Sequence, residues 1–215
     1  MNTVTLKIDG KAVKAEEGMT VLQAANSAGI DIPTLCYHDK LEPFGACRFC
    51  MVEVTKGGRS KLVASCCYPV EDALIVRTDS ERINRIRKVL LELILPLAPV
   101  GPLLGLAKKY GVKESRFPLD KGEEPSYCIL CGRCVRYCAE IKKLNAIGFV
   151  GRGIDRMVAL VPGIGDECVA CRECYEASIC EGGKFVPSAE EFAYPLHRSW
   201  PFFKSPRRRQ TPHDD

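Results

Sequence analysis

Cysteine is the residue of this 215-residue chain with the greatest capacity for chemistry, because thirteen cysteines occur and most of them fall in C-x2-C pairs. Such close pairs are typical of metal ligands. A disulfide framework is the alternative, but the N-terminal sequence MNTVTLKIDG shows strand-like alternation and no apolar export signal. We therefore expect a cytoplasmic protein whose thiols stay reduced and bind metal as thiolates.

The first group of cysteines suits a cluster of two bridged irons, which needs four thiolate ligands. The pattern is C-x10-C-x2-C-x15-C, formed by Cys36, Cys47, Cys50 and Cys66. Its long first gap differs from the spacing in zinc fingers and in bacterial ferredoxins. Gly45 and Ala46 lie between ligands, and small residues let a loop fold tightly and turn backbone N–H groups toward an anionic cluster.

Three segments around these cysteines carry a family resemblance: IPTLCYH, GACRFCMVEV and LVASCCYPV. They resemble the N-terminal [2Fe–2S] domain of the large iron–sulfur subunit of NADH dehydrogenase. They also resemble the diaphorase gamma-type iron–sulfur subunits of NAD-linked hydrogenases and formate dehydrogenases. The resemblance implies one plant-type [2Fe–2S] cluster with Cys66 as its fourth ligand. The gap before Cys66 is longer than in the family, so Cys67 remains an alternative ligand.

Two further cysteine runs have the spacing of two-cluster ferredoxins. The first run, C-x2-C-x2-C-x3-C, is Cys128, Cys131, Cys134 and Cys138. The second run, C-x2-C-x2-C-x5-C, is Cys168, Cys171, Cys174 and Cys180. In such ferredoxins the fourth cysteine of each run binds the other cluster. We therefore assign one [4Fe–4S] cluster to Cys128, Cys131, Cys134 and Cys180, and the other to Cys168, Cys171, Cys174 and Cys138.

Two features depart from the ferredoxin pattern. The residues after the fourth cysteines are Ala139 and Glu181, where proline is usual, and the second run has two extra residues before Cys180. We expect a rearranged loop or a shifted potential, with both sites kept. Structural zinc also uses C-x2-C pairs, but its four ligands per ion give no reason for triplets at fixed spacing. Only Cys67 is left over from the assignment of twelve cysteines to three clusters.

The elements that must position these cysteines indicate an α+β chain. Strand patterns occupy residues 3–8, 12–15, 51–54, 62–65 and 73–78. Asp9-Gly10 is a hairpin turn signal, and Thr20 precedes a short helical pattern that Gly29 ends. Two strands, a helix and further strands predict a mixed sheet. We interpret residues 1–78 as a β-grasp, [2Fe–2S] ferredoxin-like domain.

A linker, a two-cluster domain and a tail follow. In the linker, residues 79–125, helical spacing predicts an amphipathic helix with arginines on its polar face and one apolar stripe, Ile83, Ile86, Leu90, Leu93 and Ile94. A smaller helix, LLGLAKKYG, follows it. The [4Fe–4S] domain covers residues 126–187, with a predicted hairpin in AIGFVGRGIDRMVAL between the runs. Residues 188–215 contain four prolines and are expected to form an extended tail.

Longer members of the resembled family carry a histidine-plus-three-cysteine [4Fe–4S] motif after the linking helix. This chain has no cysteine between Cys67 and Cys128 and no histidine between His38 and His197, so we expect that cluster to be absent. The apolar, proline-containing run of residues 93–107 takes the place of the motif. It is shorter than the roughly 20 residues of a spanning helix, so we expect no membrane span.

Charge gives little information about partners, since the formal net charge is only +4. No nucleic-acid binding is expected, because a run of three arginines near the C-terminus is usually just solvated. Four arginines beside candidate ligands either offset the negative charge of the clusters or are solvated surface residues; they are Arg48, Arg133, Arg136 and Arg172.

The sequence contains no G-x-G-x-x-G after a strand, no P-loop and no catalytic triad, so we predict no catalytic residue and no site for NAD, flavin or substrate. The resemblance implies an electron relay between a flavin- and NAD(P)-binding subunit and a catalytic oxidoreductase subunit. That partner would be a hydrogenase, a formate dehydrogenase or an electron-bifurcating enzyme. The alternatives are a freely diffusing multi-cluster ferredoxin and a zinc-stabilised interaction protein.

Overall fold

The computed structural model describes residues 2–119, 125–153, 156–161, 171, 173–176 and 179–180. The chain divides into two units, Met1–Cys131 and Gly132–Asp215. The first unit contains a five-stranded sheet, whose strands are β1 Thr3–Ile8, β2 Lys11–Glu16, β3 Met51–Lys56, β4 Arg59–Ala64 and β5 Ile75–Arg77. Its helices are α1 Val21–Ser27, α2 Glu81–Ile94 and α3 Gly101–Lys109.

Two β-hairpins build the sheet, in the strand order β2-β1-β5-β3-β4. Asp9 and Gly10 connect β1 to β2 with φ angles of +49° and +82°, which a two-residue turn of type I′ requires. Gly57 and Gly58 connect β3 to β4 in the same way. Strand β5 lies between the hairpins, parallel to β1 and antiparallel to β3. The predicted α+β class is confirmed by this mixed sheet and its helices.

Strand boundaries differ from the prediction at the edge of the sheet. Strand β4 begins at Arg59, three residues before the predicted strand of residues 62–65, and it ends at Ala64. The side chains of its first three residues are exposed, and antiparallel pairing with β3 holds these residues in the sheet. An edge strand can be polar on its solvated side, so the apolar pattern failed to mark where β4 starts.

Helix α1 begins where the sequence predicts. The Thr20 Oγ1 atom accepts a hydrogen bond from the Gln23 amide at 3.3 Å, and the Gln23 side chain accepts one from the Thr20 amide at 2.8 Å. This reciprocal pair is a capping box. Gly29, with φ of +69°, ends the helix as predicted.

The hydrophobic core of the first unit lies between the sheet and α1. It consists of buried aliphatic side chains from both hairpins, β5 and the helix, among them Leu6, Ile8, Val13, Val21, Leu22, Val52, Val54 and Val76. Burying each such side chain contributes roughly 1.5–3 kcal/mol. Cys50 and Cys66 belong to the same buried cluster. Two candidate metal ligands are therefore continuous with the core of the sheet.

Helix α2 runs over the expected residues, but its buried face matches the predicted stripe only in part: Ile83 is fully buried, and Ile86, Leu90 and Ile94 are half-buried. Leu93 is 45% exposed, whereas Arg87 and Glu92 are 3% and 4% exposed. The expectation that arginines lie on the solvent side is therefore wrong for Arg87. The helix packs against the sheet through a face that carries charged side chains, and hydrophobic periodicity cannot identify such a face.

The buried carboxylate of Glu92 forms an ion pair with the segment after α3. The Arg116 guanidinium contacts the Glu92 carboxylate at 2.5 Å and 2.7 Å, and the Ser115 hydroxyl donates to the backbone carbonyl of the same residue. The Glu92 side chain is only 5% exposed, while that of Arg116 is 64% exposed. The segment is thus held against α2 by a desolvated carboxylate whose charge is compensated by one guanidinium.

We predict that Arg116→Met lowers the free energy of unfolding by about 1–3 kcal/mol, because the Glu92 carboxylate stays buried without its cation. The measurement is anaerobic urea unfolding of the full chain. Arg85→Met is the matched control, because the exposed Arg85–Glu81 pair on the same helix should contribute less than about 1 kcal/mol. An equal urea midpoint for Arg116→Met and Arg85→Met would contradict the role given to the ion pair.

The described part of the second unit contains short helices and a hairpin. The helices are α4 Arg133–Arg136, a π-helical turn over Tyr137–Ile141, and α5 Glu173–Glu176. Strands β6 Ile147–Val150 and β7 Met157–Leu160 pair antiparallel. The hairpin predicted between the two cysteine runs is confirmed. The tail predicted for residues 188–215 lies outside the described residues.

The membrane question concerns the apolar linker. Throughout the part of the chain that the structure describes, no helix combines the length and the apolar character needed to cross a bilayer. The run of residues 93–107 is divided between the end of α2, an irregular turn and α3.

Candidate metal centres

The β3–β4 hairpin brings two candidate ligands together. Cys50 directly precedes β3, and Cys66 lies two residues beyond the end of β4. The Cys50 and Cys66 Sγ atoms are 3.4 Å apart, and both residues are buried. Ser65 reinforces the pairing, since its amide and its hydroxyl both donate to the Cys50 carbonyl, at 3.2 Å and 2.9 Å.

Helix α1 holds the segment that carries Cys66. The Leu22 amide donates to the Ser65 carbonyl at 3.0 Å, and the Val21 amide donates to the Tyr68 carbonyl at 2.8 Å. These are free amides of the first helical turn, which need acceptors outside the helix. The N-terminus of the helix thus fixes the backbone on both sides of the cysteine.

Cys36 and Cys47 form a second pair, because their side chains share a hydrogen bond. The Phe49 amide also points at the Cys47 sulfur, at an N–Sγ distance of 3.5 Å. Among the described residues, no group of three or more possible ligands converges on one ion. Two thiol pairs match the ligand requirement of a [2Fe–2S] cluster, in which each of two irons takes two thiolates.

The loop between the ligands depends on left-handed backbone at Gly45 and Arg48, whose φ angles are +65° and +58°. The positive φ angle favours glycine at position 45, and a Cβ atom there would lie 2.8 Å from the Cys67 sulfur and displace that side chain. The predicted importance of a small residue at Gly45 is confirmed. Ala46, its neighbour in the prediction, is exposed.

The thiols of the first site differ in pKa. The hydrogen bond between the Cys50 and Cys66 side chains lowers the pKa of the Cys50 thiol to about 6 against the effect of burial, and hydrogen bonds from the Cys66 backbone and the Ser65 side chain add to this. The pKa of Cys66 is raised by the same hydrogen bond and by burial. The pKa of Cys47 is raised by its hydrogen bond with Cys36 and by burial. Binding of metal must therefore displace protons from these thiols.

Cys67 differs from its neighbour in exposure. Cys66 is buried against Cys50, whereas Cys67 is exposed and its sulfur lies 3.5 Å from that of Cys66. The geometry favours Cys66 as the ligand that faces Cys50. It also leaves the Cys67 thiol close enough to replace Cys66 if that residue is removed.

We predict that Cys67→Ala keeps the [2Fe–2S] signal in electron paramagnetic resonance (EPR) of dithionite-reduced protein. The double variant Cys66→Ala/Cys67→Ala should lose the signal, because neither thiol is left to complete the second pair. Cys66→Ala alone should give a weaker signal with changed g-values if the neighbouring thiol substitutes. Loss of the signal in Cys67→Ala with retention in Cys66→Ala would reverse the assignment.

A turn of similar kind occurs at the start of the second cysteine region. The Leu130 amide donates to the Cys128 sulfur, as the Phe49 amide does to Cys47. Burial nevertheless raises the pKa of Cys128. Tyr127 and Leu130 both have positive φ angles, +54° and +53°. Alternation of left-handed and right-handed backbone turns N–H groups to one side, which is a common way to surround anions and iron–sulfur clusters.

The second unit places further candidate ligands beside one another. The Ala146 amide donates to the buried Cys138 sulfur at 3.1 Å, and the Cys180 amide donates to the Cys174 carbonyl at 3.1 Å. Cys138 lies in the π-helical turn, an irregularity frequent at functional sites. Cys134 and Cys171 are half-buried, and Cys168 lies outside the described residues.

A polar network that the sequence analysis missed joins the two runs within this unit. The Tyr137 hydroxyl donates to Glu173 at 3.0 Å, and the Lys142 ammonium contacts the other oxygen of that carboxylate at 2.5 Å. Hydrogen bonds from Lys142 and Tyr137 lower the pKa of Glu173. Tyr137 precedes Cys138 and Glu173 precedes Cys174, so adjacency to cysteines was the one available signal.

The arginines beside the ligands have different environments. Arg133 and Arg136 are 6% and 9% exposed, so the solvated-surface alternative is wrong for both. Arg48 is exposed and fits that alternative. Arg172 lies outside the described residues. Two buried cations thus flank Cys134, where they can offset negative charge.

Comparison with known proteins assigns a family to this arrangement. Residues 1–81 match a family described as a 2Fe-2S iron-sulfur cluster binding domain. A solved structure of an NAD+-reducing [NiFe]-hydrogenase in its H2-reduced state contains a similar chain, with a TM-score of 0.65 and 31% identity, covering 74% of this chain and 76% of that one. This chain belongs to the iron–sulfur subunits of NAD(P)-linked oxidoreductases. The resemblance inferred from the three cysteine segments is confirmed.

Curated members of this family include longer proteins. Subunit alpha of the NADPH-Fe(3+) oxidoreductase of Geobacter sulfurreducens is 36% identical over 94% of this chain and 26% of its own length. The mitochondrial NADH-ubiquinone oxidoreductase 78 kDa subunit of Candida albicans is 35% identical over 72% and 25%. Subunit HndD of the NADP-reducing hydrogenase of Solidesulfovibrio fructosivorans is 34% identical over 86% and 36%. The chain thus spans about a quarter to a third of the length of these relatives.

Proposed function

We propose that this chain relays single electrons through one [2Fe–2S] and two [4Fe–4S] clusters between a flavin- and NAD(P)-binding subunit and a catalytic oxidoreductase subunit. The observation that carries the proposal is the pair of buried thiols at Cys50 and Cys66, 3.4 Å apart in a domain of the 2Fe-2S family. A [2Fe–2S] cluster bound there supplies a one-electron couple.

The residues of the first site suit this task in three ways. Cys36 and Cys47 would hold one iron, and Cys50 and Cys66 the other, because the thiols already meet as these two pairs. The Phe49 amide contributes an N–H···S contact, which stabilises thiolate charge. Burial of Cys36, Cys50 and Cys66 keeps water away from three of the four ligands, and exclusion of water tunes the potential.

The [4Fe–4S] sites are proposed from the cysteine spacing and from the surroundings of the described ligands. Cys128, Cys131, Cys134 and Cys180 would hold one cluster, and Cys168, Cys171, Cys174 and Cys138 the other. The hydrogen bond from the Ala146 amide to the Cys138 sulfur and the buried arginines beside Cys134 would stabilise negatively charged ligands and clusters in this region.

The partners are proposed from the family. The named relatives are subunits of oxidoreductases that use NADPH, NADH or NADP, and a matching solved structure is that of an NAD+-reducing hydrogenase. We propose a hydrogenase, a formate dehydrogenase or an electron-bifurcating enzyme as the catalytic partner. Co-purification with a flavoprotein supports a subunit, whereas a stable monomer in native extract supports a free carrier.

The test is anaerobic purification followed by iron and sulfide analysis and EPR. We predict about ten irons and ten acid-labile sulfides per chain, the sum for the three clusters. Cys47→Ala should remove the [2Fe–2S] signal alone, and Cys171→Ala should remove a [4Fe–4S] signal alone. Cys67→Ala is the matched control. Zinc in place of iron, with no acid-labile sulfide, would refute the proposal.

A further inference from the structure

Arg87 occupies a position that the electron-relay proposal does not explain. Its side chain extends from α2 into the first unit and is only 3% exposed. The Nε atom donates to the Phe49 carbonyl and the Nη2 atom to the Met51 carbonyl, each at 3.2 Å. These two peptide groups lie on either side of Cys50. One edge of a single guanidinium therefore binds the backbone in front of this candidate ligand and behind it.

An aromatic contact completes the attachment. The Nη1 atom of Arg87 donates to the Tyr110 hydroxyl at 3.3 Å, and the guanidinium carbon lies 5.7 Å from the centroid of that ring. Tyr110 meets the fully buried Phe49 ring edge-to-face, at a centroid distance of 5.9 Å and an interplanar angle of 89°. The linker, residues 79–125, is thereby joined to the ligand loop through the side chains of Arg87 and Tyr110.

The charge of Arg87 has an unusual environment. Its three hydrogen-bond partners are two carbonyls and a hydroxyl, and none of its partners among the described residues is a carboxylate. A buried cation is costly unless negative charge lies nearby. Four thiolates around a [2Fe–2S] core carry net negative charge, and that charge increases on reduction.

We propose that Arg87 is a positioning residue of the first site: it fixes the peptide groups on both sides of Cys50 and supplies the buried positive charge that a cluster held there requires. The inference rests on the proposed [2Fe–2S] function and extends it to a residue outside the cysteine motifs. The fixed cation stabilises the more negative, reduced form, so its presence raises the midpoint potential. The guanidinium binds the two carbonyls with two N–H groups of one rigid planar fork, and the compact, rotatable ammonium of lysine cannot reproduce that geometry.

Three variants of the full chain separate charge from geometry. Arg87→Met removes the charge and should lower the ratio of reduced to oxidised [2Fe–2S] by about tenfold at fixed ambient potential, equivalent to about 59 mV for one electron. Arg87→Lys keeps the charge and loses the fork, so its potential should stay near that of the wild type while a chelator removes iron about tenfold faster. Arg85→Met, at a site 75% exposed on the same helix, is the control and should shift the ratio by less than about twofold.

Anaerobic EPR redox titration measures the ratio, and bleaching of visible absorbance with a chelator measures iron loss. The inference is overturned if Arg87→Met shifts the potential no more than Arg85→Met, or if Arg87→Lys loses iron at the wild-type rate. If Arg87→Met gives no cluster-loaded protein, the Arg87→Lys rate alone decides. A wild-type chain without a [2Fe–2S] signal would instead refute the proposed function, which keeps the two failures distinct.

Discussion

The antiparallel pairing of β3 with β4 is the constraint on which the first site depends. Met51 pairs with Ala64, so the chain enters β3 from Cys50 and leaves β4 toward Cys66 at the same end of the hairpin. A slip of one residue would turn every side chain of the shifted strand to the opposite face and separate the two thiols. Pairing of β5 with both β1 and β3 fixes this hairpin to the rest of the sheet. The bonds that form the fold therefore also set the geometry of the ligands.

The same arrangement controls the electrostatics of the site. Because Cys50 and Cys66 belong to the hydrophobic core, charge on their sulfurs is costly unless donors and cations lie close by. The surrounding structure provides amide and hydroxyl donors at short range and one buried guanidinium from α2. The linker, which contains no cysteine, contacts the ligand loop through Arg87 and Tyr110. Its own attachment includes the Glu92–Arg116 ion pair.

The C-x2-C turns that begin at Cys47 and Cys128 share one local feature, a hydrogen bond from a backbone amide to the first cysteine sulfur. Cys47 and Cys128 each begin a C-x2-C turn, and each accepts a bond from the amide two residues later. In both turns a residue other than glycine takes left-handed backbone, at Arg48 and at Leu130. Such strain is common where a backbone must surround an anionic group. The resemblance between the turns is the amide–sulfur hydrogen bond, since the left-handed residue directly follows the cysteine in the first turn and lies two residues after it in the second.

The sequence by itself determined the cysteine groups, the family, the α+β class, the Asp9-Gly10 hairpin turn and the caps of α1, because each of these depends on residue type at short, fixed spacing. It did not determine which charged residues are buried. Arg87 and Glu92 look like solvent-facing positions of an amphipathic helix, and Arg133 and Arg136 look like surface cations. Their burial depends on partners distant in the chain, such as the Phe49 carbonyl, which is 38 residues from Arg87. Tertiary structure alone decides such contacts, since periodicity reports the average polarity of a face and carries no information on the groups it will meet.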